Sequence, residues 1–70
     1  MDKGDAMRSY YGFLTLYAYL TYDERPSDWY KNLEDVERIV KKKNQPMAIL
    51  NNDGELLMIY VRGHGFFKGQ

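Results

Sequence analysis

The segment MAILNNDGELLMIYV, residues 47–61, constrains the fold more than any other part of the chain. Two apolar runs flank the polar stretch NNDG, in which Gly54 can adopt the positive φ angle that a tight turn requires. This pattern predicts a β-hairpin. Any fold proposed for the chain must therefore place both apolar runs in one sheet as neighbouring strands.

The size of the chain limits how it can be stabilised. With 70 residues the chain buries only a small core, and we predict a single domain over residues 1–70. It has no cysteine and one histidine, which excludes a disulfide framework and a structural zinc site of the usual type. We therefore expect no metal and no cofactor. Oligomerisation is then the main source of additional stability for a domain of this size.

Charge and hydropathy indicate a soluble protein. Ten basic residues balance ten acidic ones, so the chain lacks the overall positive charge of a duplex-DNA-binding protein. The opening MDKGDAM has no apolar core of a signal peptide, and the longest apolar stretch, residues 13–20, is too short to cross a bilayer. We expect a cytoplasmic location, no membrane partner, and a disordered tail at residues 1–8.

The stretch GFLTLYAYLTY, residues 12–22, alternates apolar side chains with threonine and tyrosine. This alternation and the residue types predict a strand. Aromatic residues and leucines also recur there at helical spacing, so a helix is the alternative for the same stretch.

A helix is predicted over residues 29–43, after the turn DERPSD. Apolar residues at 29, 33, 36, 39 and 40 form a stripe of helical period. Ser27 or Asp28 can cap its start, and Asn32 offers a second, later start. Acidic residues early in the segment and lysines at its end match the helix dipole, and Pro46 prevents continuation.

These elements define an α+β fold of the order β-α-β-β. A right-handed crossover would place the first strand parallel to the second, with the third strand between them and antiparallel to both. The prediction is a three-stranded sheet with one amphipathic helix packed on one face. If residues 12–22 are helical, the alternative is an N-terminal helix, a second helix and a C-terminal β-hairpin.

The hairpin register decides which sheet face the helix covers. A two-residue loop would pair Ala48 with Ile59, and Leu50 would then face Leu57. We expect the helix to cover this side, whereas a three-residue loop would shift one strand by one residue. Both sides are apolar in either register, and an uncovered apolar face indicates an interface. The residues predicted to bind a partner on the open face are Tyr17, Tyr19, Met47, Ile49, Met58, Tyr60, Arg62 and His64.

The C-terminal stretch RGHGFFKG, residues 62–69, suggests a second function. The order basic residue, glycine, ring, glycine, phenylalanine at residues 62–66 resembles an RNA-binding string of the RNA recognition motif family, in which rings stack on bases. In that family the string opens a strand, whereas here it follows one. The alternative is that Phe66 and Phe67 pack on the sheet edge. The residues predicted for single-stranded nucleic-acid binding are Tyr17, Tyr19, Lys41, Lys42, Lys43, Tyr60, Arg62, His64, Phe66 and Lys68.

Catalytic groups are few. His64 could act as the general base of a small ribonuclease of the toxin type, with Arg62 or Lys68 on a phosphate. No nucleophile motif and no phosphate-binding glycine loop is present in the sequence. We therefore expect a protein without enzymatic activity.

The predicted function is a small protein–protein interaction or regulatory module. It would act as a homodimer, or as an inhibitor or adaptor of a partner protein, as accessory proteins of phages and mobile elements do. The segment of residues 44–61 is also similar to the dimerising hairpin of small antitoxins that repress their own operons, which favours pairing through the sheet. The alternative function is binding of single-stranded nucleic acid by aromatic stacking, with an affinity that falls steeply with salt.

Overall fold

The computed structural model describes residues 9–69, which form a four-stranded antiparallel sheet and two helices. The elements are β1 (Tyr11–Thr15), α1 (Leu16–Tyr22), α2 (Leu33–Lys43), β2 (Met47–Asn51), β3 (Leu56–Val61) and β4 (Gly65–Lys68). The α+β class is confirmed, whereas the predicted counts of three strands and one helix are each too low by one. The predicted tail at residues 1–8 lies outside the described residues.

The β2–β3 hairpin is confirmed. Gly54 adopts a φ of 86°, and its N–H donates to the Asn51 carbonyl at 3.0 Å. The Asn51 side-chain oxygen accepts from the N–H groups of Asp53 and Glu55, each at 2.9 Å. Asn51 therefore fixes the turn with both its main chain and its side chain. We call the end of the sheet that carries this turn the hairpin end.

The hairpin register is correct over part of its length. Ala48 pairs with Ile59 as predicted, but Leu50 pairs with Leu56 and not with Leu57. A β-bulge lies between the Ile49 and Leu50 pairs, and a bulge inserts one extra residue into one strand. The predicted pairing of Leu50 with Leu57 is therefore wrong.

The predicted strand over residues 12–22 ends at Thr15, where α1 begins. The Thr15 hydroxyl accepts a hydrogen bond from the Ala18 N–H at 3.1 Å, which satisfies one of the free donors of the first helical turn. Asp23 ends the helix in the left-handed region, with a φ of 55°. The helical alternative is thus correct for residues 16–22, and the strand for residues 12–15.

The predicted helix over residues 29–43 begins at Leu33, so the later start after Asn32 is the correct one. Asn44 ends it in the left-handed region, with a φ of 51°. The first turn is acidic and the last turn contains Lys41, Lys42 and Lys43, which complements the helix dipole.

The predicted parallel arrangement of the first two strands is wrong, because the connection contains two helices. The chain runs along β1, returns on α1, advances on α2 and returns on β2, so β1 and β2 are antiparallel neighbours. Between the helices, Tyr30 bridges Tyr11 through two hydrogen bonds of 2.7 and 2.8 Å at the outer edge of β1. There the chain passes from one face of the sheet to the other.

The helix α2 covers the face that the sequence predicted to be open. Val36 and Val40 of α2 pack with Met47, Ile49 and Tyr60 in the buried core. On the opposite face, Ala48 and Leu50 of β2 are fully buried. The helix α1 and the loop of residues 23–28 lie over that face, because α1 packs on β1 and β2, and Pro26 lies against Gly12. The prediction of an uncovered Met47–Tyr60 face is therefore wrong.

The C-terminal stretch, residues 62–69, forms a second hairpin with β3. The His64 N–H donates to the Val61 carbonyl at 2.9 Å, and Gly63 and Gly65 have φ angles of 84° and 96°. After this turn β4 pairs with β3, with Phe67 opposite Ile59. The glycines therefore provide the turn that makes a fourth strand possible.

Candidate interaction surfaces

The residues predicted to bind a partner do not form one surface. Met47, Ile49 and Tyr60 are buried beneath α2, and Met58 packs against them. The Tyr60 hydroxyl also donates to the Asn44 side-chain oxygen at 3.4 Å, at the end of α2. These side chains belong to the core, so in this fold a partner could reach them only if α2 moved away.

The other four predicted residues lie at two places. Tyr17 is exposed on α1, whereas Tyr19 is half-buried, with the Arg25 guanidinium 5.9 Å from the centre of its ring. Arg62 and His64 are exposed in the β3–β4 turn. The structure therefore separates the predicted site into a buried part, a helical part and a turn.

The outer surface of α1 is unusually apolar for a helix that faces solvent. Leu20 is 70% exposed, Tyr17 is 66% exposed and Tyr22 is 61% exposed. The rings of Tyr17 and Tyr22 meet edge to face, with their centroids 5.8 Å apart. The inner residues Ala18 and Tyr19 are half-buried, so the exposed leucine and tyrosines are not used to hold α1 on the sheet.

The half of the sheet beside α1 is also incompletely covered. The helix packs on β1 and β2, while Ile59 and Val61 on the same face of β3 are only half-buried. Phe67, opposite Ile59 on β4, is 52% exposed. A helix is about 10 Å thick, so α1 rises by about that height above the β1–β2 half of the face, while the β3–β4 half beside it has no helix on it. We refer to α1 as the ledge of this surface. We call the combined surface the apolar step, and it consists of Leu20, Tyr22, Ile59, Val61 and Phe67.

Charges are segregated along the strands. At the end opposite the hairpin end, β2 begins beside the end of β3, because Met47 pairs with Tyr60. The last turn of α2 and the β3–β4 turn meet this same end. We call it the basic end, and its exposed cations are Lys41, Lys42, Lys43 and Arg62, with His64 beside them.

The acidic residues of the described part lie toward the hairpin end. They are Asp23, Glu24, Asp28, Glu34, Asp35, Glu37, Asp53 and Glu55, on the end of α1, the loop, the first half of α2 and the β2–β3 turn. Two arginines on that side are ion-paired, Arg25 with Asp23 at 2.8 Å and Arg38 with Asp35 at 3.1 Å. Lys31 and Lys68 also lie toward the hairpin end, but acidic residues outnumber basic ones there, so within residues 9–69 the two ends of the sheet differ in charge.

The residues predicted for nucleic-acid binding are partly brought together. Lys41, Lys42, Lys43, Arg62 and His64 share the basic end, and Tyr17 begins α1 at that end, where the Leu16 N–H donates to the Pro46 carbonyl at 3.1 Å. Other members of the set lie elsewhere. Tyr60 is buried, and Phe66 packs on its ring with a centroid distance of 4.9 Å.

The exposed phenylalanine of β4 is therefore Phe67, which is not among the residues predicted for nucleic-acid binding. Which of Phe66 and Phe67 is exposed depends on which of them faces α2, and the pairing of β4 with β3 determines that.

Lys68 lies opposite Met58, three residues along β4 from its start at Gly65, or about 10 Å at the usual rise. It is thus set apart from Arg62 and His64 in the turn.

Two shallow clefts open on the surface. One, of about 620 Å³, lies between Tyr19 and residues 54–57, and the other, of about 360 Å³, is lined by Tyr10, Trp29 and Asn52. Both lie at the hairpin end, away from His64. Within residues 9–69 no group of three or more histidine, cysteine, aspartate or glutamate side chains is placed to hold a metal ion.

Comparisons with family models, with curated proteins and with solved structures found no match. Neither helix in the described part of the chain has the length and apolar character that crossing a membrane demands. Within residues 9–69 the candidate interaction surfaces are the apolar step and the basic end.

Proposed function

We propose that the chain is a non-enzymatic protein–protein interaction module that works as a homodimer through the apolar step. The observation that carries this proposal is the exposure of Leu20 on α1 and Phe67 on β4, on the same side of the sheet. Exposed apolar surface to which several large side chains contribute usually marks an interface. Tyrosine and phenylalanine are also enriched at the centres of such interfaces.

A second copy of the chain fits the step by shape. The ledge formed by α1 has the thickness of one helix, and the β3–β4 half of the same face lacks a helix of its own. A two-fold axis would place each α1 on the partner's uncovered β3–β4 half. Leu20 would then contact Ile59 and Phe67 of the partner subunit, and both apolar surfaces would leave water in one isologous interface.

The small size of the chain favours this occupant. A domain of 70 residues without disulfides has a thin core, and oligomerisation adds buried area that a single chain cannot supply. In the proposed dimer α1, which has only seven residues, is held between two sheets. A helix this short has little stability of its own, so contacts on both sides would stabilise it.

Sedimentation velocity over a concentration series tests the proposal. The wild-type chain is expected to sediment as a dimer at micromolar concentration. Leu20→Asp and Phe67→Asp should each raise the dimer dissociation constant by more than about 30-fold, because one buried apolar side chain contributes about 2 kcal/mol and the two-fold axis removes it from both subunits.

Ser27→Asp is the matched control, because it adds the same charge at an exposed residue of the loop outside the apolar step. It should leave the dimer intact. A wild-type chain that is monomeric at high micromolar concentration would contradict the homodimer. If that monomer bound another protein and lost the binding on Leu20→Asp, the step would be the site of an adaptor or inhibitor instead.

A further inference from the structure

We infer that the basic end is a binding site for the phosphate backbone of single-stranded nucleic acid. The site consists of Lys41, Lys42 and Arg62, with Lys43 and His64 at its margin and Tyr17 as a ring on which a base can stack. This inference does not depend on the homodimer, because neither the cations nor Tyr17 belongs to the apolar step.

The positive charge of this end exceeds what the fold needs. The C-terminus of α2 carries a partial negative charge of about half an electron, which one lysine is enough to offset. Four cations lie at this end of the sheet, and none of them forms an ion pair with a carboxylate in the part of the chain that the structure describes. Lys43 lies 5.9 Å over the Phe13 ring, which leaves Lys41, Lys42 and Arg62 as the cations available to a ligand.

The β3–β4 turn gives an extended polyanion room to approach. Arg62 and His64 flank Gly63, and apart from these two neighbours no atom of residues 9–69 lies within 4 Å of the place where a Cβ on Gly63 would stand. The same holds for Gly65. The backbone of this turn is therefore open, and its two polar side chains stand beside a surface that nothing in the described residues covers.

A single strand fits this end better than a duplex. Tyr17 is exposed at the start of α1 and can stack only on a base that is not paired. The aspartate and glutamate side chains of residues 9–69 lie toward the far end, so a polyanion at the basic end avoids their repulsion. Rings interspersed with cations are the usual arrangement for binding single strands without sequence preference.

Fluorescence anisotropy with a labelled oligothymidylate of about 12 nucleotides tests the inference. Three phosphate contacts predict a slope of log K against log salt of about −2, so affinity should fall about 20-fold between about 50 and 200 mM salt. The double variant Lys42→Ala/Arg62→Ala should reduce this slope to about −0.7 and weaken binding at low salt. A duplex of the same length should bind more weakly than the single strand.

Lys31→Ala is the matched control, because Lys31 is an exposed lysine at the hairpin end. It should leave both affinity and slope unchanged, and circular dichroism should show that all variants are folded. The inference is overturned if the oligonucleotide does not bind at low salt, or if Lys31→Ala weakens binding as much as the double variant. Tighter binding of the duplex, or binding only to vesicles containing anionic lipid, would also overturn it.

Discussion

Replacing Gly12 with alanine tests whether the loop of residues 23–28 packs on the sheet as described. Gly12 is buried in β1, opposite Leu50. A Cβ on Gly12 would lie 2.5 Å from Cβ and 2.8 Å from Cγ of Pro26, and 2.9 Å from the carbonyl oxygen of Asp28. Carbon atoms in contact prefer about 3.5–4.0 Å, so the loop would have to move outward by about 1 Å.

The expected cost follows from two opposing effects. Overpacking by one methyl group costs about 1–3 kcal/mol in a packed site. Replacing glycine by alanine also restricts the unfolded chain, which stabilises the native state by about 0.4–1 kcal/mol. We therefore expect a net loss of about 1–2 kcal/mol, which lowers Tm by about 4–16 °C for a domain of this size.

Thermal and urea denaturation followed by circular dichroism give this value. The second variant is Pro26→Gly, which removes both carbon atoms that the new Cβ would meet. In the Pro26→Gly protein, the loss of unfolding free energy caused by Gly12→Ala should be smaller by about 1 kcal/mol or more. Such non-additivity is expected when the two residues are in contact. If Gly12→Ala stabilises the protein, or costs the same with and without Pro26, the loop does not lie on Gly12 and the description of this face is wrong.

Two further substitutions test the core and the start of α1 by urea denaturation. Ile49→Ala should lower the free energy of unfolding by about 2–5 kcal/mol, because Ile49 is fully buried beneath α2. A loss below about 1 kcal/mol would mean that α2 does not cover this face. Thr15→Ala should lower the free energy of unfolding by about 1 kcal/mol, because the Ala18 N–H loses its acceptor, whereas Thr15→Ser keeps the hydroxyl and should lose much less. An equal loss in both variants would mean that the hydroxyl does not cap α1.

The hairpin could be predicted from the sequence because its determinants are local. Gly54 and the side chain of Asn51 fix the turn within a few residues of each other. The end of α2 is local in the same way, since Asn44 and Pro46 stop the helix. Elements whose signals lie within one turn or one loop are therefore found by reasoning from sequence.

The strand order could not be predicted because it depends on α1. Within residues 12–22 the alternating pattern of a strand continues through Thr15, and nothing in that pattern marks this threonine as a cap. Each helix in the connection reverses the direction of the chain, and the prediction contained one helix where the structure has two. The first two strands then become parallel on paper, although the chain pairs them antiparallel.

The open face of the sheet was mispredicted for a related reason. Both faces of the β2–β3 hairpin are apolar, so composition does not reveal which one α2 covers. Which face α2 covers is determined by the point where the chain crosses the edge of the sheet, at the long-range bridge between Tyr11 and Tyr30. That crossing puts Ile49 in the core, and it leaves the exposed apolar surface on α1 and at Phe67.

The most direct test of the apolar step as a dimer interface is disulfide cross-linking between two variants. The chain contains no cysteine, so Leu20→Cys and Phe67→Cys proteins each carry a single thiol. Mixed and oxidised, they should form a covalent Leu20→Cys/Phe67→Cys dimer in high yield, because the proposed axis brings these positions together across the interface. Phe67→Cys mixed with Trp29→Cys should not cross-link efficiently, since Trp29 lies at the hairpin end beside Tyr10 and Asn52. Equal yields from the two mixtures, or no cross-link in the first, would contradict the account.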